Sequence, residues 1–171
     1  TLAALALLAL SGCGSAEDYS PLKITESGGQ LFAQGVIDAS TPDVIQNAID
    51  DHPQARTLVL NYVPGSVDDV ANLEASRLLR RNGFTTIVPA DGMVASGGTD
   101  MFLAGVERAV QGSACIGVHS WATGGLFGSV EGIDVPKDDP QHQLYLSYYA
   151  EMGIDAAFYW YTLEAADAEN I

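Results

Sequence analysis

Residues 92–125 read GMVASGGTDMFLAGVERAVQGSACIGVHSWATGG, and this stretch decides which fold and which chemistry the sequence favours. Ser96 stands where a predicted helix begins, and His119 stands near the end of the next predicted strand, 23 residues later. A serine hydroxyl is a poor nucleophile until a neighbouring base takes its proton, so a serine hydrolase needs both groups at one point. One helix and one returning strand between them can bring both side chains to the same edge of a sheet.

Both residues also have an ordinary structural explanation. Serine is a common N-cap, because its side-chain oxygen accepts a hydrogen bond from the first turn of a helix. A histidine at the end of a strand often does no more than bond to the backbone. The pattern therefore predicts a nucleophile in Ser96 and a base in His119 without excluding these roles.

Predicted strands and helices alternate along the chain. The strands are expected over residues 30–37, 57–61, 84–88 and 113–120. The helices are expected over residues 41–51, 66–81, from Ser96 or Thr99 to about Ala109, 141–152 and 154–168. Alternation of this kind predicts an α/β domain with a mostly parallel sheet and flanking helices, which we place at residues 30–171.

Three segments resemble the proteolytic subunit of the Clp protease and its periplasmic relatives. ASGGTDMFLAG (residues 95–105) is similar to the nucleophile segment, GVHSWATGG (117–125) to the histidine segment, and LVLNYVPGSV (58–67) to a strand ending in Asn-Ser-Pro-Gly-Gly. The resemblance covers roughly residues 31–155. It implies a ClpP/crotonase-like ββα spiral and peptide hydrolysis by serine, histidine and aspartate. It also implies a homo-oligomer, since that family forms rings, although no other feature of the sequence asks for one.

The same resemblance implies an oxyanion hole built from the amides of Gly65 and Gly97. Pro64 is a departure from the family pattern, because it occupies the position of the first family glycine and proline has no N–H. The loss of one oxyanion donor costs roughly 3–4 kcal/mol in the transition state. The sequence leaves open whether Gly65 and Gly97 make the hole complete.

The third member of the triad is the least defined. Alignment with the family places the expected aspartate near the C-terminus, where Asp167 is the nearest candidate, followed by Asp155 and Asn170. Each of the three also fits an ordinary solvated position in or beside a helix. We expect the natural domain to continue past Ile171, in which case the orienting carboxylate could lie there.

The N-terminus predicts export and a lipid anchor. Residues 2–10 are an apolar run too short to span a bilayer as a helix, and Leu10-Ser11-Gly12-Cys13 resembles a lipobox. We interpret residues 1–12 as a truncated lipoprotein signal peptide, Cys13 as the acylated residue and residues 13–29 as a flexible tether. The alternative is a plain secretory signal. Either predicts the periplasmic side of a bacterial cell envelope, and the absence of aspartate after Cys13 favours the outer membrane.

Composition restricts the partners. The formal net charge is −15, so nucleic acid and direct contact with an anionic membrane are not expected; the membrane is reached through the lipid alone. No histidine, cysteine and carboxylate spacing resembles a metal site, and no cofactor is expected. His52 and His142 are interpreted as surface residues. Aromatic residues are concentrated in the C-terminal third, as core, as a substrate groove or as an oligomer surface.

The sequence thus favours an exported serine hydrolase. We expect this hydrolase to be a peptidase, with a peptide or protein as substrate. The alternative is a catalytically inactive relative that binds peptides on the same fold. A third reading, acyl-CoA chemistry, is disfavoured because no basic cluster near the site could hold the phosphates of CoA.

Overall fold

The computed structural model of the protein describes residues 20–125 and 128–170. The predicted signal segment 1–12, the acylation site Cys13 and the first part of the predicted tether lie outside these residues.

The described residues form nine strands and five α-helices. The strands are β1 (Lys23–Ser27), β2 (Gln30–Gln34), β3 (Thr57–Val63), β4 (Thr85–Val88), β5 (Met93–Ala95), β6 (Arg108–Val110), β7 (Cys115–Gly117), β8 (Ala122–Gly125) and β9 (Gly128–Glu131). The helices are α1 (Thr41–Asp51), α2 (Asp69–Arg81), α3 (Gly97–Leu103), α4 (Gln143–Glu151) and α5 (Ala156–Ala165). The prediction of a mixed α/β domain with a mostly parallel sheet and flanking helices is confirmed.

Strands β1–β7 form one sheet that branches at β3. Every pairing except β1–β2 is parallel. The first half of β3 pairs with β4, with Thr57 opposite Thr85, and its last residues pair with β5, with Tyr62 opposite Met93. β6 then continues from β4, and β7 continues from β5. A unit of two strands and a helix, β4-β5-α3, is therefore followed by a second pair of strands that lies parallel beside it.

The folded domain begins before the predicted boundary at Gln30. Lys23–Ser27 falls in the predicted tether but forms β1, which pairs antiparallel with β2. The turn between them is Gly28-Gly29, with φ of 60° and 80°. A two-residue hairpin turn with both φ values positive requires residues such as glycine, so Gly-Gly is the signal that predicts this hairpin.

The segment after α3 also differs from the prediction. The helix expected to reach about Ala109 ends at Leu103, and Arg108–Val110 forms β6 instead. Backbone hydrogen bonds from Val106 N to Phe84 O (2.8 Å) and from Thr86 N to Glu107 O (2.9 Å) bind this segment to the start of β4. Pairing with a distant strand thus outweighs the local preference for helix. Within the predicted loop 122–140, β8 and β9 pair antiparallel.

The core lies between the sheet and the helices that cover it. It is a single cluster of buried side chains that includes Leu58 and Leu60 of β3, Leu79 of α2, Met101 of α3 and Tyr148 of α4. Burial of one such leucine contributes about 1.5–3 kcal/mol. Packing against this core holds α3 in place below the carboxyl ends of β3, β5 and β7. Since parallel strands end at one edge, the segments that follow these three strands meet there.

Candidate functional site

Ser96 links β5 to α3 in a strained conformation. Its φ and ψ are 52° and −125°, and it is the one non-glycine residue with positive φ in the described part of the chain. These angles are those of the first central position of a type II′ turn, which glycine normally occupies. A residue held in such a region costs of the order of 1–3 kcal/mol, and strain of this kind is concentrated at functional sites. In α/β-hydrolases, a sharp strand-to-helix turn of this kind, called a nucleophile elbow, exposes the hydroxyl of the nucleophilic serine.

Ser96 occupies the N-cap position of α3, but its hydroxyl does not cap the helix. Its side chain makes no capping hydrogen bond to α3. The turn is instead held by the backbone, with Ser96 N donating to Gly117 O (3.1 Å) and Thr99 N donating to Ser96 O (2.8 Å). The Thr99 hydroxyl donates to the same Gly117 carbonyl at 2.8 Å. These bonds tie the apex of the turn to the end of β7 and leave the Ser96 hydroxyl without a structural role.

The backbone after Ser96 is packed so closely that only glycine fits. A Cβ on Gly97 would lie 2.7 Å from Ser66 Cβ and 2.9 Å from Asn72 Nδ2. Ser66 is itself fixed, because its hydroxyl donates to Asp69 at 2.5 Å. The Gly97 amide is therefore held at the start of α3, directly after Ser96.

Gly65 lies on the opposite side of Ser96, in the segment after β3. A Cβ on Gly65 would lie 3.4 Å from Ser96 Cβ and 3.8 Å from Ser96 Oγ. The segment is anchored by hydrogen bonds from Ile37 N to Gly65 O (3.0 Å) and from Val67 N to Ile37 O (2.9 Å). Within the described residues, neither the Gly65 nor the Gly97 N–H has a hydrogen-bond acceptor. Both glycines lie next to Ser96, and their amides are not used by the described backbone.

His119 is half-buried in the segment after β7. Its Nδ1 lies 2.7 Å from the carbonyl oxygen of Ser120. A carbonyl only accepts, so a neutral ring bonded in this way carries its proton on Nδ1 and its lone pair on Nε2. This is the tautomer that a base for serine needs. His119 and Ser96 line the same cleft, and no hydrogen bond joins them in the described structure.

Asp167 lies close to the histidine segment along the backbone, but its carboxylate is bound elsewhere. The carbonyl of the preceding residue, Ala166, accepts a hydrogen bond from Ser120 N (2.8 Å). The exposed Asp167 carboxylate accepts from Asn170 Nδ2 (2.6 Å) and Glu169 N (3.2 Å). Of the other two candidates, Asn170 is thus the donor to Asp167, and Asp155 caps α5 by accepting from Ala157 N (2.7 Å).

The space between the walls of the cleft beside Ser96 and His119 is about 430 Å³, including the part open to solvent. Nine further lining residues were not assigned to the site from the sequence. Six of them are acidic or aromatic: Asp69, Asp100, Trp121, Tyr145, Tyr149 and Tyr159. The concentration of aromatic residues was the available signal for four of them. Asp100 lies in the first turn of α3, four residues after Ser96, and its side chain lines the same cleft.

The two aspartates of the cleft are hydrogen-bonded to tyrosines. Tyr145 donates to Asp69 at 2.5 Å, and Tyr149 donates to Asp100 at 2.9 Å. Burial raises the pKa of Asp100 to about 7, the hydrogen bond from Tyr149 opposes this rise, and the charge of Asp69 adds to it. Asp100 therefore carries a proton part of the time at neutral pH.

A buried hydrogen-bonded chain fixes the aromatic wall of the cleft. Trp121 Nε1 donates to the Tyr159 hydroxyl (2.8 Å), which lies 2.7 Å from His142 Nδ1. His142 Nε2 lies 3.3 Å from Val135 O. His142 is completely buried, so its interpretation as a surface residue is wrong. The residues around His142 in the sequence are polar and suggested an exposed position. In the structure, α5 and the neighbouring aromatic side chains cover this histidine.

In the described part of the chain, no group of three or more histidine, cysteine, aspartate or glutamate side chains is arranged to hold a metal ion. No helix there is both long enough and apolar enough to cross a membrane. Comparisons of the chain with protein-family models, with curated proteins and with solved structures gave no match.

Proposed function

We propose that this protein is an exported serine hydrolase, in the first place a peptidase, that cleaves an acyl bond with Ser96 as nucleophile and His119 as base. The observation that carries the proposal is the strained turn at Ser96, with φ of 52° and no capping role for its hydroxyl. A fold maintains such strain only where surrounding contacts enforce it, and an activated nucleophile is a reason to keep it.

In the proposed reaction, Ser96 Oγ attacks the carbonyl carbon of the substrate and His119 Nε2 takes the hydroxyl proton. The negative charge that develops on the carbonyl oxygen is received by the Gly65 and Gly97 amides. His119 then gives its proton to the leaving group, which departs as the acyl-enzyme forms. Water, deprotonated in turn by His119, releases the acyl group and restores Ser96. No cofactor is needed.

The orienting group for His119 in this scheme is the Ser120 carbonyl. It fixes the Nδ1–H tautomer as an aspartate would, although without a full negative charge to stabilise the imidazolium. The proposal is therefore a serine–histidine dyad, to which Asp167 adds a carboxylate only if its side chain turns away from Glu169 and Asn170.

We further infer that the domain has the ClpP/crotonase-like ββα spiral. The support is the branching of the sheet at β3 and the parallel repetition of β4-β5 by β6-β7. The proposed setting, on the periplasmic side of a bacterial envelope behind an acylated Cys13, rests on the N-terminal sequence, and a ring-shaped homo-oligomer rests on the resemblance.

One observation favours the second candidate, an inactive relative that binds peptides in the same cleft. Pro64 offers no amide to an oxyanion, and no carboxylate contacts His119 in the described structure. A protein of this kind would still bind peptides in the cleft but would not hydrolyse them.

Labelling with a fluorophosphonate distinguishes the two. The soluble domain, without residues 1–13, is incubated with the probe beside Ser96→Ala and a control, Ser129→Ala, which removes an exposed hydroxyl on β9. We expect labelling of wild type and Ser129→Ala, and none of Ser96→Ala. A folded wild-type domain that stays unlabelled would refute the hydrolase and favour the peptide-binding relative.

A further inference from the structure

The cleft at Ser96 carries negative charge with no cation to balance it. Asp69 and Asp100 both line it, and none of the described residues that line it is a lysine or an arginine. His119, the remaining titratable base, lies beside Ser96. A carboxylate without a counter-charge in a partly buried cleft is costly, and the charge of a bound cation would offset that cost.

The hydrogen bonds to these carboxylates come only from neutral groups. Asp69 accepts from the hydroxyls of Ser66 and Tyr145, both at 2.5 Å. Asp100 accepts from Tyr149 on one oxygen, and its second oxygen has no hydrogen-bond donor among the described residues. Hydroxyl donors orient a carboxylate without cancelling its charge, and the raised pKa of Asp100 is consistent with this.

A buried polar side chain without a partner lies behind Gly97, next to this cleft. Asn72 is completely buried, and neither its Nδ2 nor its Oδ1 has a hydrogen-bond partner. Its Nδ2 reaches to 2.9 Å from where a side chain on Gly97, a lining residue, would begin. An unpaired buried amide is costly, so the part of α2 next to the cleft holds a polar group that the protein itself does not satisfy.

The remaining wall is aromatic. The Tyr145 ring stacks with Trp121, at 6.0 Å and 13°, and with Tyr159, at 5.7 Å and 14°. Aromatic faces accept the aliphatic stem of a lysine or arginine, and they attract the cation itself. Carboxylates and aromatic faces in one cleft form a combination suited to an organic cation.

We propose that this cleft binds a positively charged group of the substrate, a lysine or arginine side chain next to the scissile carbonyl, and that Asp69 and Asp100 determine this specificity. The inference rests on the proposed function, because it places the cation beside the acyl group that Ser96 attacks. The net charge of −15 draws cationic peptides toward the protein as well, although only the cleft selects the residue that is cleaved.

The test uses fluorogenic peptide amides that differ only in the residue before the cleaved bond: arginine, lysine, citrulline, leucine or glutamate. Citrulline has the shape of arginine without its charge, so the arginine-to-citrulline ratio of kcat/KM isolates the effect of charge. We expect this ratio to be about tenfold or more, as a close charge pair gives, and glutamate to be the poorest substrate. A ratio near one would overturn the proposal.

The variants Asp100→Asn and Asp69→Asn test whether these two carboxylates cause the preference for arginine. Each keeps the shape of the side chain, and each is expected to lower the arginine-to-citrulline ratio of kcat/KM by about tenfold. The matched control is Asp91→Asn, which removes an exposed carboxylate outside the cleft and should leave the ratio unchanged. If both cleft variants retain the wild-type ratio, the carboxylates do not determine specificity.

Binding without turnover separates this inference from the hydrolase itself. Calorimetric titration of Ser96→Ala with Nα-acetyl-arginine amide and with its citrulline analogue reports the cation site alone. One outcome is that arginine binds, that Asp100→Asn abolishes this binding, and that fluorophosphonate does not label the wild-type protein. This outcome would support the cation site and refute the hydrolase. Labelling of Ser96 without preference for arginine in either assay would keep the hydrolase and refute the cation site.

Discussion

The carbonyl oxygen of Ser120 lies 2.7 Å from Nδ1 of His119, the residue immediately before it. A backbone acceptor thus holds the imidazole where serine hydrolases commonly use a carboxylate. Ser120 is itself completely buried, and its amide is bound to Ala166. The orientation of His119 therefore depends on the backbone of the fold, which side-chain substitutions alter little.

Asp167→Asn should consequently leave catalysis almost intact. Because the Asp167 carboxylate is bound to Glu169 and Asn170, its replacement removes no contact to His119. We expect kcat on an activated peptide substrate to fall by less than about tenfold, whereas loss of an orienting aspartate costs about 10⁴-fold. His119→Ala is the positive control and should abolish turnover. A loss near 10⁴-fold in Asp167→Asn would mean that this carboxylate turns toward His119 during the reaction.

Replacement of Ser96 by glycine should produce a more stable protein than replacement by alanine. Both remove the hydroxyl, but alanine keeps the Cβ that makes φ of 52° costly and glycine does not. The expected difference in free energy of unfolding is about 1 kcal/mol in favour of glycine, by urea denaturation.

The same pair of substitutions at Ser129 provides the control. Ser129 lies in β9, where glycine weakens a strand, so alanine should be the more stable of the two. Equal stabilities of Ser96→Gly and Ser96→Ala would show that the turn at Ser96 is not strained.

Gly97→Ala should destabilise the domain and abolish fluorophosphonate labelling. The added Cβ would lie 2.7 Å from Ser66 Cβ, which forces α3 away from α2 and moves the amide after Ser96. We expect a loss of about 1–3 kcal/mol in the free energy of unfolding. Gly124→Ala is the matched control, because a Cβ there meets no atom within 4 Å. Wild-type labelling in Gly97→Ala would mean that this amide takes no part in activating the site.

The stability of the protein should depend on pH through Asp100. Its pKa is about 7 in the folded protein and near 3.8 in an unfolded chain, so the folded state binds the extra proton between these values. The free energy of unfolding that Asp100 contributes therefore falls as pH rises from about 4 to 7, and it is constant above that range.

Asp100→Asn measures this contribution by subtraction. The variant should gain stability relative to wild type by roughly 2–4 kcal/mol between pH 4 and pH 8. Urea denaturation at four pH values gives the two curves, and parallel curves would contradict the raised pKa.

The sequence predicted those features that local patterns record. The apolar run of β3 and the position of Ser96 before a helix can be read from neighbouring residues, and parallel strand order then brings His119 to the same cleft. The family resemblance, which covers only part of the chain, gave Gly65 and Gly97 their proposed roles.

The missed features arise from contacts between distant segments. In the sequence, Asp69 has the position of an ordinary acidic residue in the first turn of α2. Its place in the cleft depends on a hydrogen bond from Tyr145, which is 76 residues later in the chain. β6 exists because β4 lies beside it, and its own sequence continues a helical pattern. The hairpin at Gly28-Gly29 is the exception, since its turn signal is local and could have been recognised.

The branching of the sheet has a consequence for how the chain folds. β3 contacts β2, β4 and β5, all in parallel, and each of these pairings closes a loop that contains a helix or a turn. Parallel pairing gains its contacts only after such loops have closed, which makes it slow. Leu60 is completely buried at the centre of β3, so its truncation should slow folding more than it speeds unfolding. We therefore expect this seven-residue strand to form the folding nucleus of the domain. The rate at which β3 pairs with β2, β4 and β5 should then determine how fast the protein folds.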